Sequence, residues 1–277
     1  MRRSRITITI DQDLLKQIDT LIDHNTIRNR SHAMENVLSQ YFLQKITTAV
    51  ILAGGQGTNL RPYTYEVPKS LMPVKGKPIL EYLIHNLKST GIRHIYLCVG
   101  YLGDKIKEQI GNGEKYGLTI TYVQEKSPLL TGGALLQLKN ELKHEPFLLL
   151  HGDIVTDFDF RDIIEFHQKE TATVSVALTT VNQPQLYGQL RLHGSRLVGF
   201  YQHDEIDVIK SHLVNCGIYV CSPDIFNYFP KSVKPFLFED IIQVLVTENK
   251  VNGFVYEGKW FDVGTLENYE KAIKEFK

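Results

Sequence analysis

The chain has 277 residues, and its 31 lysines and arginines balance 31 aspartates and glutamates, so the formal net charge is zero. No global field draws such a chain to nucleic acid or to an anionic membrane, and any affinity for either has to come from a local patch. Apolar residues make up 43% and charged residues 22%, the balance of a soluble globular protein of one large domain or two, and no stretch approaches the roughly 18 apolar residues of a membrane span.

The first residues, MRRSRITITIDQD, alternate and turn acidic too soon for a signal peptide. Cys98, Cys216 and Cys221 sit in apolar surroundings without metal-ligand spacing and read as reduced packing residues. The expected compartment is the cytoplasm. Residues 1–45 read as a small unit of their own. Ile6, Ile8 and Ile10 alternate with Arg5, Thr7 and Thr9, the pattern of a strand with one apolar face. Asp11 or Asp13 caps a helix carrying Leu14, Leu15, Ile18, Leu21 and Ile22, and Ser31 caps a second through Ala33, Val37, Leu38 and Phe42. One strand and two helices cannot bury those faces alone in about 45 residues, so a partner copy is expected. This order resembles the ribbon-helix-helix fold. The resemblance implies a homodimer through this module, with higher assembly left open. It also implies a two-stranded ribbon in the major groove of double-stranded DNA. Arg5, Thr7 and Thr9 would then face the bases, with Asn29, Arg30 and Ser31 holding phosphate. The bland alternative is a dimerisation module with a solvated strand face.

A short join leads to an apolar run, Ala49 to Ala53, that stops at Gly54-Gly55-Gln56-Gly57-Thr58. A glycine turn after a buried strand, followed by Arg61 and Lys69, suits a phosphate site, though it is also an ordinary way to end a strand. No Gly-Lys-Ser/Thr closes the turn, so it is not a Walker loop, and prolines follow where a dinucleotide-binding helix would start. The whole stretch, AVILAGGQGTNLRPYTYEVPKSLMPVKGKP, resembles the signature of the sugar-1-phosphate nucleotidyltransferases, with Asn59 standing where the signature has arginine.

Beyond it, a helix from Ile79 to Leu87, a strand at Ile95–Val99, a helix at Gly103–Ile110 and a strand at Leu118–Val123 alternate. Such alternation implies an α/β fold with a doubly wound, mostly parallel sheet over residues 46–277, whose ligands sit at the carboxyl ends of strands. Three strand-end loops are similar to family motifs. QEKSPLLTGGAL implies a base pocket with Leu52, Ala53, Gly54, Gly55, Gly57, Thr58, Gln124, Gly132 and Gly133 at the nucleotide, and Leu130 replaces a glycine there. His151-Gly152-Asp153 and Trp260-Phe261-Asp262 imply a carboxylate pair, Asp153 and Asp262, on Mg²⁺, with Lys69 catalytic beside them. Asp157 and Asp159 read instead as loop and cap residues. Tyr187, Gly188, Asn215 and Gly217 match sugar-binding segments, while His203 stands where the family carries a lysine for the sugar phosphate.

The family reaction joins an NTP and a sugar-1-phosphate to give a nucleotide sugar and pyrophosphate, chiefly by positioning and charge neutralisation. Two readings follow. In the first, Asn59, Leu130 and His203 have weakened or abolished catalysis, and the chain is a DNA-binding regulator that senses a nucleotide sugar or sugar phosphate. In the second, it is an active Mg²⁺-dependent nucleotidyltransferase dimerised by its N-terminal module. The clustering of the three departures on substrate-touching positions favours the first.

Overall fold

The computed structural model describes residues 6–42, 46–184, 187–201 and 211–276. The chain divides into two compact units, Met1–Lys45 and Ile46–Lys277. No helix among the described residues is long and apolar enough to cross a membrane.

In the first unit, α1 (Gln12–Thr20) starts at Asp11, whose carboxylate accepts from the N–H groups of Asp13 and Leu14. That satisfies two donors a helix start leaves free. Helix α2 (Arg30–Phe42) is capped by Asn29, which accepts from the His32 N–H at 3.0 Å, rather than by Ser31. Residues 6–10 form no strand within this single chain. The expected ribbon would need a second chain to pair with, because a lone extended segment leaves its ladder groups open. Ile18 and Ala33 are buried, but Ile6, Ile8, Leu14, Leu21, Val37 and Leu38 stay exposed. Arg5 lies outside the described residues. Arg30 turns back onto Asp19, with Nε 2.6 Å and Nη2 2.8 Å from its two carboxylate oxygens, so its charge is already matched and it offers phosphate little.

The second unit begins with β1 (Thr48–Ala53), then the short pair β2 (Pro73–Val74) and β3 (Lys77–Pro78), α3 (Ile79–Thr90), β4 (His94–Val99), α4 (Gly103–Ile110) and β5 (Thr119–Gln124). There follow α5 (Leu130–Leu136), β6 (Phe147–His151), β7 (Ile154–Thr156), α6 (Phe160–Lys169) and β8 (Val174–Thr180). The chain continues through β9 (Gln189–His193), β10 (Arg196–Tyr201), β11 (Leu213–Cys221), α7 (Phe238–Thr247), β12 (Val251–Val255), β13 (Trp260–Asp262) and α8 (Leu266–Glu275). Nine strands make one sheet in the order β5-β4-β1-β6-β11-β8-β12-β10-β9.

The sheet is mixed, which corrects the mostly parallel expectation. From β5 to β6 the pairs are parallel, each crossover being a helix. Strand β11 then runs antiparallel to both β6 and β8, and β9 and β10 form an antiparallel hairpin. Alternating helix signals carry the parallel run from β5 to β6, whereas β8 to β11 follow one another with no α-helix among the described residues, and such connections permit antiparallel pairing; β12, reached through α7, again pairs parallel with β8.

Side-chain alternation along β1 shows how the core divides. Ala49, Ile51 and Ala53 face a cluster with Leu83, Leu87, Ile106 and Ile163 from α3, α4 and α6, while Val50 faces the opposite cluster with Leu135, Tyr219 and Phe238. With both faces covered, β1 reads as a continuous apolar run. A third cluster, including Val155, Val263, Ala272 and Phe276, packs α8 against the two-stranded ribbon of β7 and β13. That ribbon positions the chemistry described next.

Candidate active site

The glycine turn leaves the carboxyl end of β1 and opens a cleft of about 660 Å³ lined by Leu52, Gly54, Gly55, Gly57, Thr58 and Asp153, among others. A second cleft of about 270 Å³ is lined by Tyr187, Gly188, Asn215, Gly217, Trp260 and Asp262. Thr131, His151 and Leu237 line both, so the clefts meet, and each brings one of the two aspartates to the junction.

Asp153 follows β6, and Asp262 ends β13. The β7–β13 pairing sets Asp262 opposite Ile154, and the Val263 N–H donates to the Asp153 carbonyl at 2.9 Å. Residues 109 positions apart thus become neighbours through one short ribbon. Lys69 reaches between them. Its ammonium donates to Asp153 and stands 3.9 Å from an Asp262 oxygen. Burial works against the Lys69 ammonium, but the two carboxylates outweigh it and raise its pKa. Burial also opposes ionisation of Asp153, yet Lys69 and His151 win and hold it below the usual carboxylate range. Asp262 is pushed the other way, first by burial and then by the Asp153 charge. Like-charged carboxylates this close drive their pKa values apart unless a cation stands between them.

The donor set suits a hard dication. Mg²⁺ takes oxygen ligands and is commonly held by one or two carboxylates, with substrate phosphates completing its shell. Here two carboxylates converge on one cation, burial and then the Asp153 charge raise the Asp262 pKa, and a dication would relieve that repulsion. Among the described residues no larger cluster of ligating side chains exists.

Glu239, outside every motif, completes the site together with His151 and Thr131. His151, Glu239 and Thr131 form a polar seam at the junction: Thr131 Oγ1 donates to Glu239 at 3.0 Å, and His151 Nε2 stands 3.7 Å from the other Glu239 oxygen. Glu239 sits in the first turn of α7, on a segment whose sequence shows only an amphipathic helix. Gly217, at φ 69°, lies in an irregularity of β11, and a side chain there would meet the His151 ring at 2.9 Å. Asn215 donates to the Tyr219 hydroxyl and accepts from the Gly217 N–H at 2.9 Å. Tyr187 accepts from Asn268 at 2.8 Å and packs edge-on against Trp260.

Other expected nucleotide residues are not at the cleft. Gln124 accepts from the Lys107 ammonium at 2.9 Å on the outer side, and the next residue, Glu125, lines the cleft instead. The reason is strand alternation, since a shift of one residue reverses the face. Gly132 and Gly133 donate their N–H groups to the Phe236 carbonyl and are packed against residues 234–236. Ala53 is buried in the sheet. Leu130 stands half-exposed at the cleft in a left-handed conformation, φ 59°, where its glycine counterpart would be unstrained. Asn59 is exposed, and Arg61 stacks over Tyr65 at 5.0 Å rather than entering the cleft. His203 lies outside the described residues.

A profile of the nucleotidyl transferase family matches residues 48–277. The chain belongs to that family. Its relatives include a mannose-1-phosphate guanylyltransferase of Mycobacterium tuberculosis, 30% identical over 81% of this chain and 63% of that one. This chain therefore spans a little under two thirds of that relative's length. A D-glycero-alpha-D-manno-heptose 1-phosphate guanylyltransferase of Aneurinibacillus thermoaerophilus is also 30% identical, over 82% of this chain and 97% of that one. Among solved structures, HddC from Yersinia pseudotuberculosis complexed with GMP-PN superposes with a TM-score of 0.69 at 25% identity, covering 84% of this chain and all of that one. These relatives overturn the regulator reading. The Mycobacterium and Aneurinibacillus relatives are named as guanylyltransferases, and nothing in the comparisons points to DNA. Leu130 stands at the cleft and Asn59 is exposed outside its lining, while Lys69, Asp153 and Asp262 remain together.

Proposed function

We propose that this family member is an active Mg²⁺-dependent sugar-1-phosphate nucleotidyltransferase, converting an NTP and a sugar-1-phosphate to a nucleotide sugar and pyrophosphate. The observation that carries the reading is the meeting of Lys69, Asp153 and Asp262 where two clefts join. In this reading the nucleotide occupies the larger cleft, its phosphates against the N–H groups of Gly54, Gly55, Gly57 and Thr58. The sugar occupies the smaller one, beside Tyr187, Gly188, Asn215 and Gly217. An oxygen of the sugar phosphate attacks the α-phosphorus in line and pyrophosphate leaves. Lys69 neutralises charge gathering on the α-phosphate oxygens, in a half-enclosed site where a fixed ammonium counts for more than in water. Asp153 and Asp262 would hold Mg²⁺, which supplies further charge neutralisation and in-line alignment of the phosphates.

The names of the relatives point to guanylyl transfer onto manno-configured sugar phosphates. Pyrophosphate release should therefore be assayed with GTP and mannose- or heptose-1-phosphate first, then across the other NTPs. Turnover that needs Mg²⁺ and falls by about 10²–10³ in Lys69→Ala supports the reading; silence across the full panel sinks it. The N-terminal unit is proposed to pair two copies in ribbon-helix-helix fashion, because its exposed isoleucines have no cover within the chain.

A further inference from the structure

Asp262 owes its place beside Asp153 to a ribbon of only three residue pairs, Trp260 with Thr156, Phe261 with Val155 and Asp262 with Ile154. Register is decisive there. A slip of one residue would turn the Asp262 side chain to the opposite face, and a slip of two would carry it about 7 Å along β7. So short a two-stranded pairing is weakly held by its own ladder, and the contacts at its two ends matter accordingly. At the aspartate end the Val263 N–H donates to the Asp153 carbonyl at 2.9 Å. At the far end stands Asp157, the first residue after β7. Its N–H donates to the Lys259 carbonyl at 3.1 Å, and its Oδ1 accepts from the Lys259 N–H at 2.8 Å and from the Tyr256 hydroxyl. Tyr256 is itself held by the main sheet. Its N–H donates to the Leu178 carbonyl of β8 at 2.8 Å, and its ring lies against that of Phe158, with centroids 4.5 Å apart. One carboxylate oxygen therefore fastens the open end of the ribbon to the large sheet. Gly258 belongs to the same clasp. A side chain there would collide with the Tyr256 hydroxyl, and its Cβ would stand 2.8 Å from the Asp157 oxygen.

Resting on the nucleotidyltransferase reading, we propose that Asp157 is a positioning residue for the metal-binding pair. It lines neither cleft. By fixing the register of β13 on β7 it sets Asp262 where the two carboxylates can share one ion. Both donors to its Oδ1 are neutral, so an amide oxygen can take the place of the carboxylate oxygen. Asp157→Asn should then keep the clasp, and Asp157→Ala should open it. A residue acting through its charge would lose its effect in both.

Two measurements on the full chain test this. Amide hydrogen exchange, without metal or nucleotide, reports the ribbon directly. In Asp157→Ala, exchange over residues 259–263 should quicken at least about tenfold while β1 and β4 hold their protection. Titration with Mn²⁺, a stand-in for Mg²⁺ that also favours carboxylates, reports the pair. Its dissociation constant, read from the EPR signal of the free ion, should rise about tenfold in Asp157→Ala and stay within about twofold of wild type in Asp157→Asn. Tyr256→Phe, which removes one donor and leaves the backbone contacts, should fall between. The proposal is overturned if wild type takes up no Mn²⁺, if Asp157→Ala leaves Mn²⁺ affinity unchanged, or if Asp157→Asn loses as much as Asp157→Ala. Exchange that quickens equally in β1 and β4 also overturns it, because the residue would then support the whole fold and not the ribbon. Wild type silent for pyrophosphate release, with exchange and Mn²⁺ results as expected, would sink the enzyme reading and leave this one standing. An active wild type whose Asp157→Ala variant keeps its ribbon protection and Mn²⁺ affinity would do the reverse.

Discussion

Lys69 bridges the two aspartates at the junction of the clefts. It is the only described cation between two carboxylates that repel each other. Lys69→Ala removes both a transition-state donor and the counterion of the pair. We expect a loss of about 10²–10³ in kcat with the fold retained, read from pyrophosphate release and a thermal melt. Asn59 and Leu130 give milder outcomes. Asn59→Arg restores a cation at the exposed rim of the glycine turn and is expected to raise kcat severalfold; an unchanged or lower rate would show that the rim charge is not limiting. Leu130→Gly relieves a left-handed leucine, a strain of about 1–2 kcal/mol, but loses about 0.5–1 kcal/mol to glycine's backbone entropy. Stability should therefore hardly move, while the KM for NTP falls as the cleft opens.

At the scale of elements, the β7–β13 ribbon and the irregular β11 matter most. Both use short-range pairing to bring distant residues together. Gly217→Ala would force a methyl against the His151 ring and strain a φ of 69°. A loss of about 1–3 kcal/mol in denaturant unfolding is expected, together with weaker binding of sugar phosphate. Helix α6 supplies a pH-dependent contact. His167, buried between Ser175 and Ser222 at 2.9 and 3.0 Å, has its pKa lowered to about 4 by burial, against 6.5 when exposed. Between those values the unfolded chain binds more protons than the folded one, so stability rises with pH. The contribution is fully present above pH 6.5 and is lost as pH falls toward 4, about 3 kcal/mol in all. Urea titrations at pH 7.5 and 4.5 should show it, and His167→Gln should flatten the difference.

At the scale of the whole molecule, the two units have different needs. The larger has a covered sheet and a buried core of its own. The smaller leaves Ile6 at 73% and Ile8 at 53% exposure, more apolar surface than a unit of its size can leave in water. Static light scattering should report a dimer, and Ile6→Asp with Ile8→Asp should yield monomers that retain pyrophosphate release. A wild-type monomer would remove the pairing role.

The sequence by itself determined the helix and strand alternation of the parallel run and the glycine turn at the end of β1, and it singled out Lys69, Asp153 and Asp262, which the fold brings together. These are local signals, written in periodicity, turn chemistry and a long contiguous motif. Only the tertiary structure decided the antiparallel pairings of β9, β10 and β11, the exposed position of Gln124 and the packing of Gly132 and Gly133 against Phe236. It alone also brought Glu125, His151 and Glu239 to the clefts. Each of these depends on which residues distant in the chain meet, or on a one-residue choice of strand face. Periodicity records that a side chain is buried or exposed, but not against what.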